Sequence, residues 1–231
     1  MAKGKIEKRG AKRRKVKPIV LIVTEGSQTE PKYFEHFKTR QNNIDIRVVG
    51  SRSSAGETDY VSLVRKAREY QERNQLSAAT GDSVWVIADA DVNYNNPKPI
   101  AEKNSKLNQA RKMADNKGIN LLLSSPCFEV WLLLHYQYTT KFIKDYADMK
   151  SVLQKYIPTY TKTADVYELI NDRTKTAIEN AKRVERHHLQ DGCKLPFGVD
   201  VNPFTDVYKL LERLLWIRCF SFCWFCVVLC V

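Results

Sequence analysis

The sequence predicts an α/β protein: a parallel sheet flanked by helices, with a helical extension toward the C-terminal end. Three observations point there. Short runs dense in β-branched and aliphatic residues recur at 18–24, 83–88 and 119–124, each apolar enough to be covered on both faces. Segments with helical spacing separate them, and alternation of this kind builds parallel sheets through right-handed crossovers. From Phe142 onward only helical spacing continues.

Taken in order, 18–24 (Pro-Ile-Val-Leu-Ile-Val-Thr) reads as a buried strand broken by Glu25-Gly26-Ser27. Thr29-Glu30-Pro31 reads as an N-cap followed by proline in the first turn, predicting a helix to about Arg40. Residues 43–49 alternate apolar and polar side chains and predict a second strand. A polar loop, 51–56, carries Arg52. From Asp59 to about Leu76, Tyr60, Leu63, Val64, Ala67 and Tyr70 share one helical face. Gly81-Asp82 turns into the strand 83–88, which ends in Asp89-Ala90-Asp91.

A loop at 93–99 precedes a basic helix, 100–117, that Gly118 stops. After the fourth strand, 119–124, Pro126 is expected to open a helix running to His135, apolar almost all round and therefore buried. Helices are expected at 142–156, 165–189 and 204–216. This reading divides the chain into a basic arm (1–17), an α/β domain (18–140), a helical region (141–215) and an apolar, cysteine-rich tail (216–231).

Hydrophobic content of 43% and charged content of 28% exclude global disorder in a chain of 231 residues. A net charge of +12 points toward polyanions, above all nucleic acid, although a basic surface without a specific partner is the plainer reading. Lys3, Lys5, Lys8, Arg9, Lys12, Arg13, Arg14, Lys15 and Lys17 repel one another and are expected to stay disordered until they meet phosphates. The arm lacks the apolar stretch of a secretory signal, so a cytoplasmic protein is expected. The six cysteines do not form a disulfide framework.

The tail admits three readings. It is short of the roughly 20 apolar residues of a membrane span and holds Arg218, so a membrane is not expected as a partner. The spacing of Cys219, Cys223 and Cys226 matches an iron–sulfur motif without its loop context. The third reading is a non-functional end or a segment packed into a partner.

Glu25 follows the first strand and Asp89 and Asp91 follow the third. The carboxyl ends of parallel strands line one edge of a sheet, where ligands bind, so these acids are expected to converge although distant in sequence. Alternate residues of an extended segment point the same way, so Asp89 and Asp91 could address one ion. Hard oxygen donors suit Mg²⁺ or Mn²⁺, which would neutralise a phosphate and orient water. Glu25, if not a ligand, could act as general base or acid. Acids at strand ends also serve simply as solvated loop residues.

Three stretches resemble signatures of the RloB-like proteins: 23–34 (Val-Thr-Glu-Gly-Ser-Gln-Thr-Glu-Pro-Lys-Tyr-Phe), 125–135 (Ser-Pro-Cys-Phe-Glu-Val-Trp-Leu-Leu-Leu-His) and 202–207 (Asn-Pro-Phe-Thr-Asp-Val). The likeness spans about 17–215. It implies a Toprim-related fold and nuclease chemistry by kinship with other Toprim nucleases, including those that cut transfer RNA. It also implies a role in bacterial anti-phage or abortive-infection systems, often beside an ATPase partner, and dimers are common among Toprim nucleases. In the Toprim pattern the strand-one glutamate matches Glu25 with Gly26 beside it, and the Asp-x-Asp matches Asp89 and Asp91. The tail matches nothing in that pattern.

Glu129 sits at the start of an apolar helix. The helix dipole alone favours a carboxylate there by about 0.3–1 kcal/mol, and a fourth site carboxylate, possible in catalysis, is the alternative. Ser125 is expected to cap that helix, with a phosphate-binding hydroxyl as the alternative, His135 to be a buried core histidine turned away from the site, and Glu30 to be a secondary candidate. Lys182, Arg183 and Arg186 form either a solvated helix face or, with Arg52, contacts to nucleic-acid phosphates. His187 and His188 lack partners at zinc spacing. Two function classes follow: a metal-dependent endonuclease cutting RNA or DNA, and a non-catalytic subunit that binds nucleic acid or a trigger and works with an ATPase.

Overall fold

The computed structural model describes residues 17–38, 44–50, 59–92, 94 and 98–215. Residues 1–16 of the basic arm, Arg52 and the tail 216–231 lie outside the described residues. A five-stranded sheet organises the chain, in the order β2-β1-β3-β4-β5, with β1 Ile19–Thr24, β2 Asp45–Gly50, β3 Ser83–Asp89, β4 Ile119–Ser125 and β5 Phe204–Thr205. The first four in sequence are parallel, and β5 runs antiparallel beside β4.

The apolar runs are the inner strands. β1 is an inner strand, pairing Ile22 with Val48 of β2 on one side and with Trp85 of β3 on the other. Val20 through Val23 and Val84 through Ala88 are buried, since both faces of the sheet are covered. Two helices, α2 (Tyr60–Arg73) and α3 (Lys98–Asp115), pack on one another and against the sheet. Asp59 starts α2 by accepting from the Val61 amide, and Tyr60, Leu63, Val64 and Ala67 turn inward at helical spacing. After α3 the backbone reverses at Gly118, whose φ of +63° suits a residue without Cβ.

Right-handed crossovers put α1 (Thr29–Glu35) on the opposite face from α2 and α3. There Tyr33 and Phe34 meet Phe128 and Trp131 edge-on, which locks α1 to α4 (Glu129–Leu134). α5 (Tyr146–Leu153) and α7 (Thr174–Gln190) pack against α4. A short α6 (Tyr167–Ile170) and a 3₁₀ turn (Asn171–Arg173) precede α7, and residues 207–215 form α8.

Several expectations are corrected. The helix expected over 204–216 begins only at 207, because Phe204 and Thr205 add a strand to the sheet and Ser124 and Thr205 share a hydroxyl hydrogen bond of 2.8 Å. The helix expected from Pro126 begins at Glu129. Ser125 does not cap it: the residue ends β4, and its Oγ is buried without a hydrogen-bond partner. Thr29 is the first residue of α1 rather than its cap, and its hydroxyl donates to the Lys162 carbonyl. The stretch 165–189 is broken by the 3₁₀ turn, and 142–156 shortens to α5.

Candidate carboxylate site at the strand ends

The connection after β1 leads outward to β2, whereas the one after β3 leads the other way, to β4. Strand order therefore switches between β1 and β3, and diverging connections leave a crevice at their carboxyl ends. Glu25 and Asp89 flank that crevice. The Glu25 amide donates to Ile87 O at 3.1 Å. In return Glu25 Oε2 accepts from the Asp89 amide at 3.0 Å, across 64 positions of sequence. The Glu25 carboxylate thus reaches the Asp89 backbone, which sets the two strand ends side by side.

Asp89 is half-buried, yet its Oδ1 is sealed from solvent with no hydrogen-bond partner. Burial raises its pKa well above the usual aspartate range, and the nearby charges of Glu30, Glu25, Glu129 and Asp91 push it in the same direction. Asp91 is exposed, and its φ of +42° takes it out of the extended conformation. The alternation argument for co-orienting Asp89 and Asp91 therefore fails: the strand ends at Asp89. The turn that follows is held by Lys103 Nζ, which donates to Ala90 O at 3.1 Å and Asp91 O at 2.5 Å, and by the Tyr60 hydroxyl on Asp89 O at 3.1 Å.

Two further acids close the crevice. Glu30 is 4% exposed, and its Oε1 accepts from the Gly26 amide at 3.2 Å. Desolvation raises its pKa to about 7, with Glu129 and Glu25 adding repulsion while backbone hydrogen bonds oppose the rise. Glu129 is 2% exposed at the start of α4 and accepts from the Tyr160 hydroxyl at 2.8 Å.

Tyr160 and Lys162 gave no sequence signal, because they stand in an irregular stretch between α5 and α6. Tertiary contacts place that stretch over the crevice. Thr29 donates to Lys162 O at 2.8 Å, Lys32 Nζ donates to Thr163 O at 2.5 Å, and His36 Nε2 lies 2.8 Å from Asp165 Oδ2. Burial works against the charge on Lys162, but attraction by Glu129, Asp89, Asp91 and Glu30 outweighs it and holds the pKa up.

The remaining candidates sit elsewhere. α7 meets α4 at its Leu134 end, where Asn180 Nδ2 donates to Leu134 O at 2.9 Å, so Lys182, Arg183 and Arg186 lie away from Glu129. Lys182 Nζ is 2.5 Å from Glu212 Oε1, the Arg183 guanidinium lies 4.1 Å from the Tyr138 ring centroid, and Arg186 is exposed. His135 is a core histidine as expected, 1% exposed, with Nδ1 2.9 Å from Trp131 O. His188 is buried with Nε2 2.8 Å from Pro203 O.

Among the described residues, no three His, Cys, Asp or Glu side chains are grouped so as to hold a metal ion by themselves. A hard cation that keeps most of its waters needs only one or two carboxylates. The Asp89 Oδ1 beside Glu25 lacks a donor in a surplus of negative charge, but it is sealed from solvent, so a hydrated ion would reach it only once the crevice opened.

Fold and site define an α/β protein with a buried carboxylate cluster at the switch point of a mostly parallel sheet. The chain belongs to the RloB-like protein family, whose model matches residues 20–214. No curated protein and no solved structure matches it. Among the described residues no helix is long and apolar enough to cross a membrane.

Proposed function

We propose that the protein is a Toprim-related nuclease, dependent on Mg²⁺ or Mn²⁺, that cleaves phosphodiester bonds in RNA such as transfer RNA, or in DNA. Its biological setting would be an anti-phage or abortive-infection system, with an ATPase partner and a second copy of the chain. One observation carries the reading: Glu25 and Asp89 meet at the switch-point crevice, and a sealed Asp89 oxygen there has no donor. Like charges crowded in low dielectric favour binding a cation or keeping a proton.

Asp89 and Glu25 would hold the ion, with Asp91 at the exposed rim. When bound, the ion would supply charge neutralisation at the scissile phosphate and a more acidic water. Glu30, with a pKa of about 7, is poised to give or take a proton near neutral pH. Tyr160 orients Glu129, and Lys162 offers a cation to the phosphate.

The test is a cleavage assay on RNA and DNA with Mg²⁺, with Mn²⁺ and with chelator. Glu25→Gln and Asp89→Asn should each lower the rate by at least 10²-fold, the order expected for groups that position or transfer protons. Equal cleavage by wild type and both variants sinks the assignment. Among the described residues no three side chains form a ligand cage, which favours a second reading, a non-catalytic subunit that binds nucleic acid or a trigger for an ATPase. Tight metal-independent binding without turnover would support that reading instead.

A further inference from the structure

A second surface, of different chemistry, begins where α4 ends. Tyr136 and Tyr156 stack with ring centroids 4.9 Å apart and planes at 17°. The Arg173 guanidinium lies 5.0 Å from the Tyr136 centroid, so Tyr136 carries both a stacked ring and a cation. Two residues further along the chain, Tyr138 has the Arg183 guanidinium 4.1 Å from its ring centroid. The Tyr156 hydroxyl donates to Gln137 Oε1 at 2.9 Å, which fixes the outer ring. Tyr138 and Tyr156 are nonetheless 36% and 40% exposed, and both arginines are exposed.

A purely structural role accounts for cations resting on rings. It does not account for holding two rings, already oriented, in water. Rings with open area interleaved with guanidinium groups suit unpaired nucleotides: each base finds a stacking face and each phosphate a cation. A duplex hides its base faces and cannot use the rings.

We infer that Tyr136, Tyr138, Tyr156, Arg173 and Arg183 form a stacking platform for single-stranded nucleic acid. The inference rests on the reading of the protein as one that acts on nucleic acid, and it names the strandedness of the substrate. The platform is within reach of the carboxylates by two routes. Tyr136 follows Glu129 by about 10 Å of helix rise. Tyr156 precedes Tyr160, which touches Glu129, by at most about 14 Å of extended chain. A strand lying on the rings therefore spans the gap to the crevice within a few nucleotides. Of the α7 cations, Arg183 belongs to the platform, Arg186 flanks it one turn on, and Lys182 is held by Glu212.

The test is fluorescence anisotropy with the full chain in chelator, which separates binding from cleavage. The probes are labelled single strands of RNA and DNA of about 12 nucleotides, within the usual site size, and a duplex of equal length. Tyr156→Ala and Tyr138→Ala should each weaken single-strand binding about 5- to 100-fold, the range for losing one stacked base. Tyr156→Phe should bind within about 2-fold of wild type, because the ring remains. Unmodified protein should also photo-crosslink a 4-thiouridine strand at residues 136–156, a readout that no folding defect can affect. Unchanged affinity in both alanine variants, a phenylalanine variant as weak as alanine, tighter binding of duplex, or crosslinks only elsewhere would overturn the inference. Loss of cleavage with these results intact would count against the nuclease reading alone.

Discussion

At position 26 the absence of a side chain decides what its neighbour can do. A Cβ there would run into the Glu30 carboxylate, which instead folds back onto the Gly26 amide. Glu30 is thereby buried in an acidic neighbourhood, with a pKa of about 7 against an ordinary 4.5. The folded protein holds a proton on Glu30 through that interval, whereas the unfolded chain has released it. Stability from this group is full below pH 4.5 and is lost as pH rises through about 7. Glu30→Gln cannot ionise and keeps an oxygen for the Gly26 amide. Relative to wild type it should gain stability as pH rises, by up to about 3 kcal/mol at pH 8 without divalent cation. Urea titrations at pH 5 and pH 8 check this, and an equal difference at both values excludes a buried, proton-holding Glu30.

Among the elements, β5 shows where the sequence stops being legible. The long strands announced themselves as apolar runs, and strand-end logic then set Glu25 and Asp89 at one sheet edge, where a Glu25 oxygen accepts from the Asp89 amide. A two-residue strand has no periodicity to read. Phe204 and Thr205 sit directly before a helix and carry the same apolar pattern, so the helix reading absorbed them. The same limit hid Tyr160 and Lys162: an irregular segment is placed by remote contacts, here Thr29, Lys32 and His36, rather than by local pattern. Asp91 left the extended path because the turn is tied from Lys103 and Tyr60, both far in sequence. β5 is nonetheless a fixed part of the sheet. Phe204 is 2% exposed, packs edge-on to Phe197 at 5.3 Å and lies opposite Ser125. Phe204→Ala should cost about 3–5 kcal/mol, whereas Leu169→Ala, at a residue 57% exposed, should cost little. If chemical denaturation gives Phe204→Ala the small loss expected of Leu169→Ala, β5 is not an integral strand.

Across the molecule, two buried groups on different elements set opposing responses to pH. His135 is buried behind Trp131, its Nε2 has no hydrogen-bond partner, and desolvation lowers its pKa to about 4 from 6.5. Between those values the unfolded chain is protonated at this position and the native protein is not, so stability rises with pH across the window. The contribution is present above pH 6.5, is lost as pH falls through about 4, and is worth on the order of 3 kcal/mol. Glu30 acts with the reverse sign between 4.5 and about 7, and Asp89, also raised by burial, acts with it. From about pH 4.5 to 6.5 the histidine and glutamate slopes largely cancel, so Asp89 leaves the wild-type stability curve falling gently as pH rises. Removing one group should uncover the others. His135→Phe should lose some stability at every pH through altered packing. It should also make the curve fall more steeply as pH rises across that window, while Glu30→Gln, which leaves Asp89 opposing His135, should make it flatter. The decisive measurement is the unfolding free energy of the three proteins at half-unit steps from about pH 4 to 8. Parallel curves for wild type and His135→Phe would show that the imidazole does not stay neutral inside the fold.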